Sequence, residues 1–152
     1  MIDNVYRVAL FGHRIFDGHK VLDTRLFDIL ADLMKDEPFV EIYIGRNGEF
    51  DLYAASVVKR AQRSVSCDNN ELICVLPYTS KSIEYLDNYY DSIRVYEMMD
   101  IHPKRAITER NRRMVEMCDL VICYVNKACG GAYQAMKYAQ KLNKKTINLA
   151  EC

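Results

Sequence analysis

Gly130-Gly131 follows the apolar run from Asp119 to Val125 and directly precedes an amphipathic segment that reaches Leu142. Glycines at a strand-to-helix junction let main-chain amides approach a ligand, and the N–H groups of a helix N-terminus attract anions. The chemistry on offer is phosphate binding. Gly12-His13-Arg14 ends the first apolar run. Arg14 suits a bidentate grip on phosphate, and His13 suits a hydrogen bond or a titration near neutral pH. Gly45-Arg46-Asn47-Gly48-Glu49-Phe50-Asp51 ends the second. Asp51 fits a helix cap or first-turn anion, while Glu49 is a candidate for holding ribose hydroxyls or for acid/base work. Arg110-Asn111 opens the basic run to Arg113, and this polar pair is expected to enter a strand-end cleft. Tyr78 and Tyr133 suit stacking on a base, with ordinary packing an equal alternative. His13, Asp17 and His19 match no metal-ligand spacing, so neither a metal nor a bound cofactor is expected.

These residues need a scaffold that gathers loops at one end. Val5–Phe11, Phe39–Ile44, Glu71–Leu76, Ile93–Tyr96, Asp119–Val125 and Thr146–Leu149 read as strands. Helical spacing covers Val21–Lys35, Asp51–Val65, Lys104–Cys118 and Gly131–Leu142, and a short helix is expected over Ser82–Tyr89. Strands alternating with such helices imply right-handed crossovers. The expected fold is therefore α/β: a Rossmann-like three-layer sandwich around a mostly parallel central sheet, one domain over residues 1–152. Ligands of such sheets sit beyond the carboxyl ends of the strands, where the order reverses.

Composition narrows the classes. Half of the 152 residues are hydrophobic and no apolar run is long enough to span a bilayer, so no membrane partner is expected. The N-terminus has no basic lead-in or cleavage-site pattern, which sets a cytoplasmic expectation. Six cysteines without a C-x-x-C pair read as reduced, mostly buried thiols. Twenty-one basic residues balance 21 acidic ones, and on that balance nucleic acid is not expected as a partner.

Taken in order, the loops resemble the SLOG superfamily, which includes DNA-processing protein A and the Lonely Guy phosphoribohydrolases. The likeness is strongest to YpsA-like and short SLOG proteins. It rests on Phe11-Gly12-His13-Arg14, on Gly45-x-x-Gly48-x-Phe50-Asp51-x-x-Ala54-Ala55, and on Leu76-Pro77-Tyr78. Arg110-Asn111-x-x-Met114-Val115, Asp119-Leu120-Val121-Ile122 and Gly130-Gly131 complete it. The resemblance implies binding of a nucleotide or nucleotide-derived molecule in a sensor or effector role. In some branches it implies N-glycosidic hydrolysis, and Arg110 matches an active-site arginine. Lys137, however, stands where the phosphoribohydrolases carry a catalytic glutamate. A cation there opposes a developing oxocarbenium ion, so catalysis is not the leading expectation.

The expected ligand site is thus Gly12, His13, Arg14, Gly45, Glu49, Tyr78, Arg110, Asn111, Gly130 and Gly131, with Glu49 and Arg110 the catalytic candidates. The expected partner is a nucleotide-like small molecule; the alternative is a phosphoribohydrolase-type hydrolase, with single-stranded DNA binding third. Met114, Val115, Met117 and Cys118, with Tyr85, Tyr89, Tyr90 and Tyr96, suggest an apolar excess and hence a homodimer. Lys137, Lys141 and Lys144 read as one solvated stripe.

Overall fold

A computed structural model describes residues 4–16, 19–77, 89–96 and 102–151. The elements run β1 (Val5–Gly12), α1 (His19–Asp36), β2 (Phe39–Ile44), α2 (Glu49–Val65), β3 (Asn70–Leu76) and β4 (Ser92–Val95). They continue with α3 (Pro103–Met117), β5 (Leu120–Tyr124), α4 (Gly131–Lys141) and β6 (Lys145–Asn148). The strands form one sheet in the order β4-β3-β2-β1-β5-β6. Every pairing is parallel, so the expected Rossmann-like sandwich is present and its sheet is parallel throughout.

Alternation along each strand builds the layers. Val8 and Leu10 of β1, with Val40, Ile42 and Ile44 of β2, pack with Leu26, Leu30 and Met34 of α1 and Val57, Val58 and Ala61 of α2. Ala9 and Phe11 join Val121 and Cys123 of β5 in the opposite core, against Met114 and Val115 of α3. Each large aliphatic side chain so buried contributes roughly 1.5–3 kcal/mol. On α4 the residues turned to that core are Ala132, Ala135 and Ala139. Their small size lets the helix lie close to the sheet. On β2, Glu41 accepts from Arg7 Nε at 3.1 Å, Arg94 at 3.4 Å and the Tyr43 hydroxyl at 2.6 Å. Burial and the Glu41 contact push Tyr43 up to about 12.

The chain order reverses at β1: β2 to β4 extend to one side, β5 and β6 to the other. The loops after β1 and β5 therefore diverge and leave a crevice between them.

Several sequence expectations change here. Helix α2 starts at Glu49 rather than at Asp51, with Gly48 as its cap, so of the two places expected for Asp51 the first turn is the observed one. Met114, Val115 and Cys118 are buried within this chain, Tyr90 is buried too, and Met117 and Tyr96 pack against the core. Tyr89 is exposed and Tyr85 lies outside the described residues, so part of the apolar set that suggested a homodimer is used internally. Lys144 lies beyond α4 and is not part of a solvated stripe: its Nζ donates to the Glu116 and Cys118 carbonyls at 3.0 and 2.9 Å, closing the end of α3. The helix expected over 82–89 lies outside the described residues, apart from its last position. Among the described residues no helix is long and apolar enough to cross a membrane. Cys74, Cys118 and Cys123 are buried free thiols, with Cys67 and Cys129 exposed.

Candidate functional site

Between the ends of β1, β2 and β5 lies a cleft of about 730 Å³, walled by α3 and the start of α4. Gly12, His13, Arg14, Gly45, Arg110, Asn111, Gly130 and Gly131 all line it. Eight of the ten expected site residues thus share one cavity. Glu49 lies instead on an adjoining hollow, and Tyr78 lies outside the described residues.

The loop after β1 is tied on two sides. The Glu49 amide donates to the Arg14 carbonyl at 2.8 Å, and the Phe50 amide to the His13 carbonyl at 3.4 Å. In return Glu49 Oε2 accepts the Phe16 amide at 3.2 Å. These bonds occupy the first amides of α2, so that helix end is closed to an anion. Glu49 acts here as a tether, on the far side of Arg14 from the cleft centre.

On the other side, His13 Nε2 accepts the Asn126 amide at 3.1 Å, which places the ring proton on Nδ1. Burial first, then the Lys127 charge, hold its pKa below the ordinary 6.5. Protonation would set an N–H against the Asn126 N–H and break the bond between the two loops. Because the folded value is depressed, the stability supplied by neutral His13 is complete above the unfolded value and is lost as pH falls through the folded one. Chemical unfolding below and above that window should therefore show an acid-side loss that shrinks in His13→Gln, which can accept but does not titrate. An unchanged pH slope in the variant would refute this role.

Helix α4 differs from α2. Gly130 precedes it at φ +93°, a conformation glycine adopts freely, and no side chain caps the helix. Gly131 and Ala132 line the cleft, and Asn111 Nδ2 lies beside Gly131. By helix geometry the first amides lack intrahelical acceptors. This is the helix end open to an anion.

Arg110 is 3% exposed. Its Nε and Nη2 donate to Asn111 Oδ1 at 3.1 and 2.8 Å, and Nη1 to the Val75 carbonyl at 3.3 Å. A methyl at Gly45 would come within 2.7 Å of Nη1, so Gly45 makes room for the guanidinium rather than for a ligand. Asp51, also buried, accepts the Asn47 amide at 2.9 Å. Burial raises its pKa, opposed by the Asn47 hydrogen bond and by the Arg110 charge.

Residues that the sequence did not single out complete the cleft: Arg46, Lys104, Thr108 and Lys127. Lys104, Thr108 and Asn111 recur at helical spacing along α3, a signal that could have found them. The lining carries five cations, Arg14, Arg46, Lys104, Arg110 and Lys127, against the single carboxylate of Asp51. Tyr133 is partly buried against the α3–α4 core, with Lys137 Nζ 6.0 Å over its ring. Lys137 is exposed and lies outside the cleft lining.

No family model and no curated protein sequence matches this chain. Solved structures do. The X-ray structure of DNA processing protein A (DprA) from Streptococcus pneumoniae matches with TM-score 0.67 and 17% identity, over 93% of this chain and 49% of that one. A structure of DNA processing protein A from Helicobacter pylori, described for its single-stranded DNA binding mode, matches with TM-score 0.63 and 17% identity. It is covered over 63% of its length by 93% of this chain. The chain thus spans about half to two thirds of these proteins, and the likeness is one of fold. DNA processing protein A is among the proteins that the motifs resemble, and this chain shares its fold. One expectation is overturned. Nucleic acid was set aside on charge balance, yet a protein of this fold is described as binding single-stranded DNA. The balance over the whole chain hid the local excess of cations in the cleft.

Proposed function

We propose that the switch-point cleft binds a nucleotide by its phosphate, which sits between the first amides of α4 and the Arg14 side chain. The observation that carries it is the convergence of one uncapped helix end with five cations in a single cleft. Preorganised amides and guanidinium groups suit an oxyanion because their hydrogen bonds are charge-assisted. Asn111 Nδ2 adds a donor beside Gly131. A volume of about 730 Å³ is within the usual range for small-molecule sites.

A second source of the same phosphate is favoured by the fold neighbours: a single strand of nucleic acid, held at one of its nucleotides. Titration calorimetry with inorganic phosphate, nucleoside monophosphates and a short oligonucleotide separates the two. Arg14→Ala should weaken phosphate-bearing ligands by roughly 1.5–3 kcal/mol, the range for hydrogen bonds to charged groups. Lys137→Ala should change affinity by less than about 1 kcal/mol, as for an exposed charge. Thermal shift offers a second readout, since ligand at about 100 Kd stabilises by roughly 2.7 kcal/mol. If no phosphorylated ligand stabilises the protein, or Lys137→Ala is the more damaging change, the anion site is misplaced.

A further inference from the structure

Beside the cleft lies a second hollow of about 610 Å³, formed where the loop after β1 meets the first turn of α2. The two cavities adjoin, because Arg14, Ile15, Arg46 and Asn47 line both. Leu52 and Glu49 belong to the second alone. Among the described residues the two most exposed large apolar side chains are Ile15, at 75%, and Leu52, at 54%. Both line this hollow. A single exposed leucine means little, but two such side chains at one cavity rimmed by arginines form an apolar contact surface of the kind that ligands cover.

We propose that this hollow holds the second nucleotide of a single strand whose first nucleotide occupies the cleft. The assignment rests on the phosphate reading of the cleft and extends it to an oligomeric ligand. Charge placement decides how the strand lies. Among the described residues Glu49 supplies the hollow's one carboxylate, which disfavours a phosphate inside it. Arg14 and Arg46 stand at the boundary of the two cavities, where the linking phosphodiester would pass. The base and sugar then fill the hollow, with the base against Ile15 and Leu52. Apolar contact with a base face tolerates any sequence, so the subsite should read strand length rather than base identity.

The test compares thymidine 5′-monophosphate, the thymidine dinucleotide and an oligothymidylate of about eight nucleotides on the full chain. The dinucleotide and the longer strand should bind about tenfold more tightly than the mononucleotide, in the range of one base contact. Leu52→Ser should remove most of that gain while leaving mononucleotide affinity unchanged, and Leu52→Trp should enlarge it. Leu52 is exposed, so both variants should fold; thermal melts check this. Mononucleotide binding that depends on Arg14, without any gain from a second nucleotide, overturns the subsite and leaves the phosphate cleft standing. A length gain indifferent to both Leu52 variants also overturns it. Failure of every ligand, mononucleotide included, removes the phosphate cleft and the subsite with it.

Discussion

Arg110→Ala should cost about 3–5 kcal/mol of stability, the range for removing one member of a buried charge arrangement. The guanidinium gives three hydrogen bonds to Asn111 and the Val75 carbonyl, and its charge offsets the buried Asp51 carboxylate. Without it, Asn111 loses the contact that orients its amide toward Gly131. The deficit should also depend on pH. Asp51 has a raised folded pKa, so its favourable contribution is complete below the unfolded value of 3.8 and is lost as pH rises through the folded one. Removing Arg110 raises that folded value further. The variant should therefore lie closest to the native protein in acid and fall behind as pH rises. Urea unfolding at about pH 4 and about pH 7 measures this, and an equal deficit at both would show that charge is not the cause. Arg14→Ala, by contrast, should change stability by less than about 0.5 kcal/mol because Arg14 is exposed. Arg110 is thus expected to hold the site together, and Arg14 to hold the ligand.

Gly12→Ala should cost about 3 kcal/mol, near the upper end for forcing an atom into a packed core. A methyl at Gly12 would overlap the Phe50 ring, which is fully buried. Phe16 packs edge-on to that ring at 5.3 Å, and Tyr124 stacks with it at 6.4 Å. The ring has no free direction in which to retreat. Phe50→Ala alone should cost roughly 3–5 kcal/mol through lost burial and a cavity. In Gly12→Ala/Phe50→Ala the new methyl enters the space the ring vacates, so the double variant should lose clearly less than the sum. Denaturant melts of the three variants complete the cycle. Simple additivity would mean that the Gly12–Phe50 contact is not what requires glycine.

The strands could be read from sequence because both faces of this sheet are covered. Ala9, Leu10 and Phe11, or Val121, Ile122 and Cys123, therefore form unbroken apolar runs that few other structures use. The start of α2 was harder. Gly48 caps the helix without a side chain, while the acidic Asp51 carries the local signal usually given by a cap. Gly130-Gly131 and Arg14 could be placed at the cleft because their position at strand ends is set by neighbours in sequence. Arg110 could be assigned to the cleft but not understood, since its partners Gly45 and Val75 are brought to it only by the parallel pairing of β2 and β3. The tether made by Glu49 was hidden for a similar reason: nothing local shows that its carboxylate reaches the Phe16 amide. Net charge failed most plainly, because a sum over the chain carries no information about position.

The two-sided fastening of the loop after β1 bears on how fast a ligand would arrive. Glu49 grips it from α2 and Asn126 from the β5 loop, so the walls of the cleft are set before anything binds. A preorganised receptor loses little loop entropy on association and needs no slow closure before capture. The encounter with an anion is then governed by diffusion and by the field of the clustered cations, which should make the on-rate fall steeply as salt is added. The off-rate, set by short-range hydrogen bonds inside the cleft, should respond much less. A phosphate ligand of this cleft would then be sampled quickly and repeatedly, with affinity adjusted through residence time.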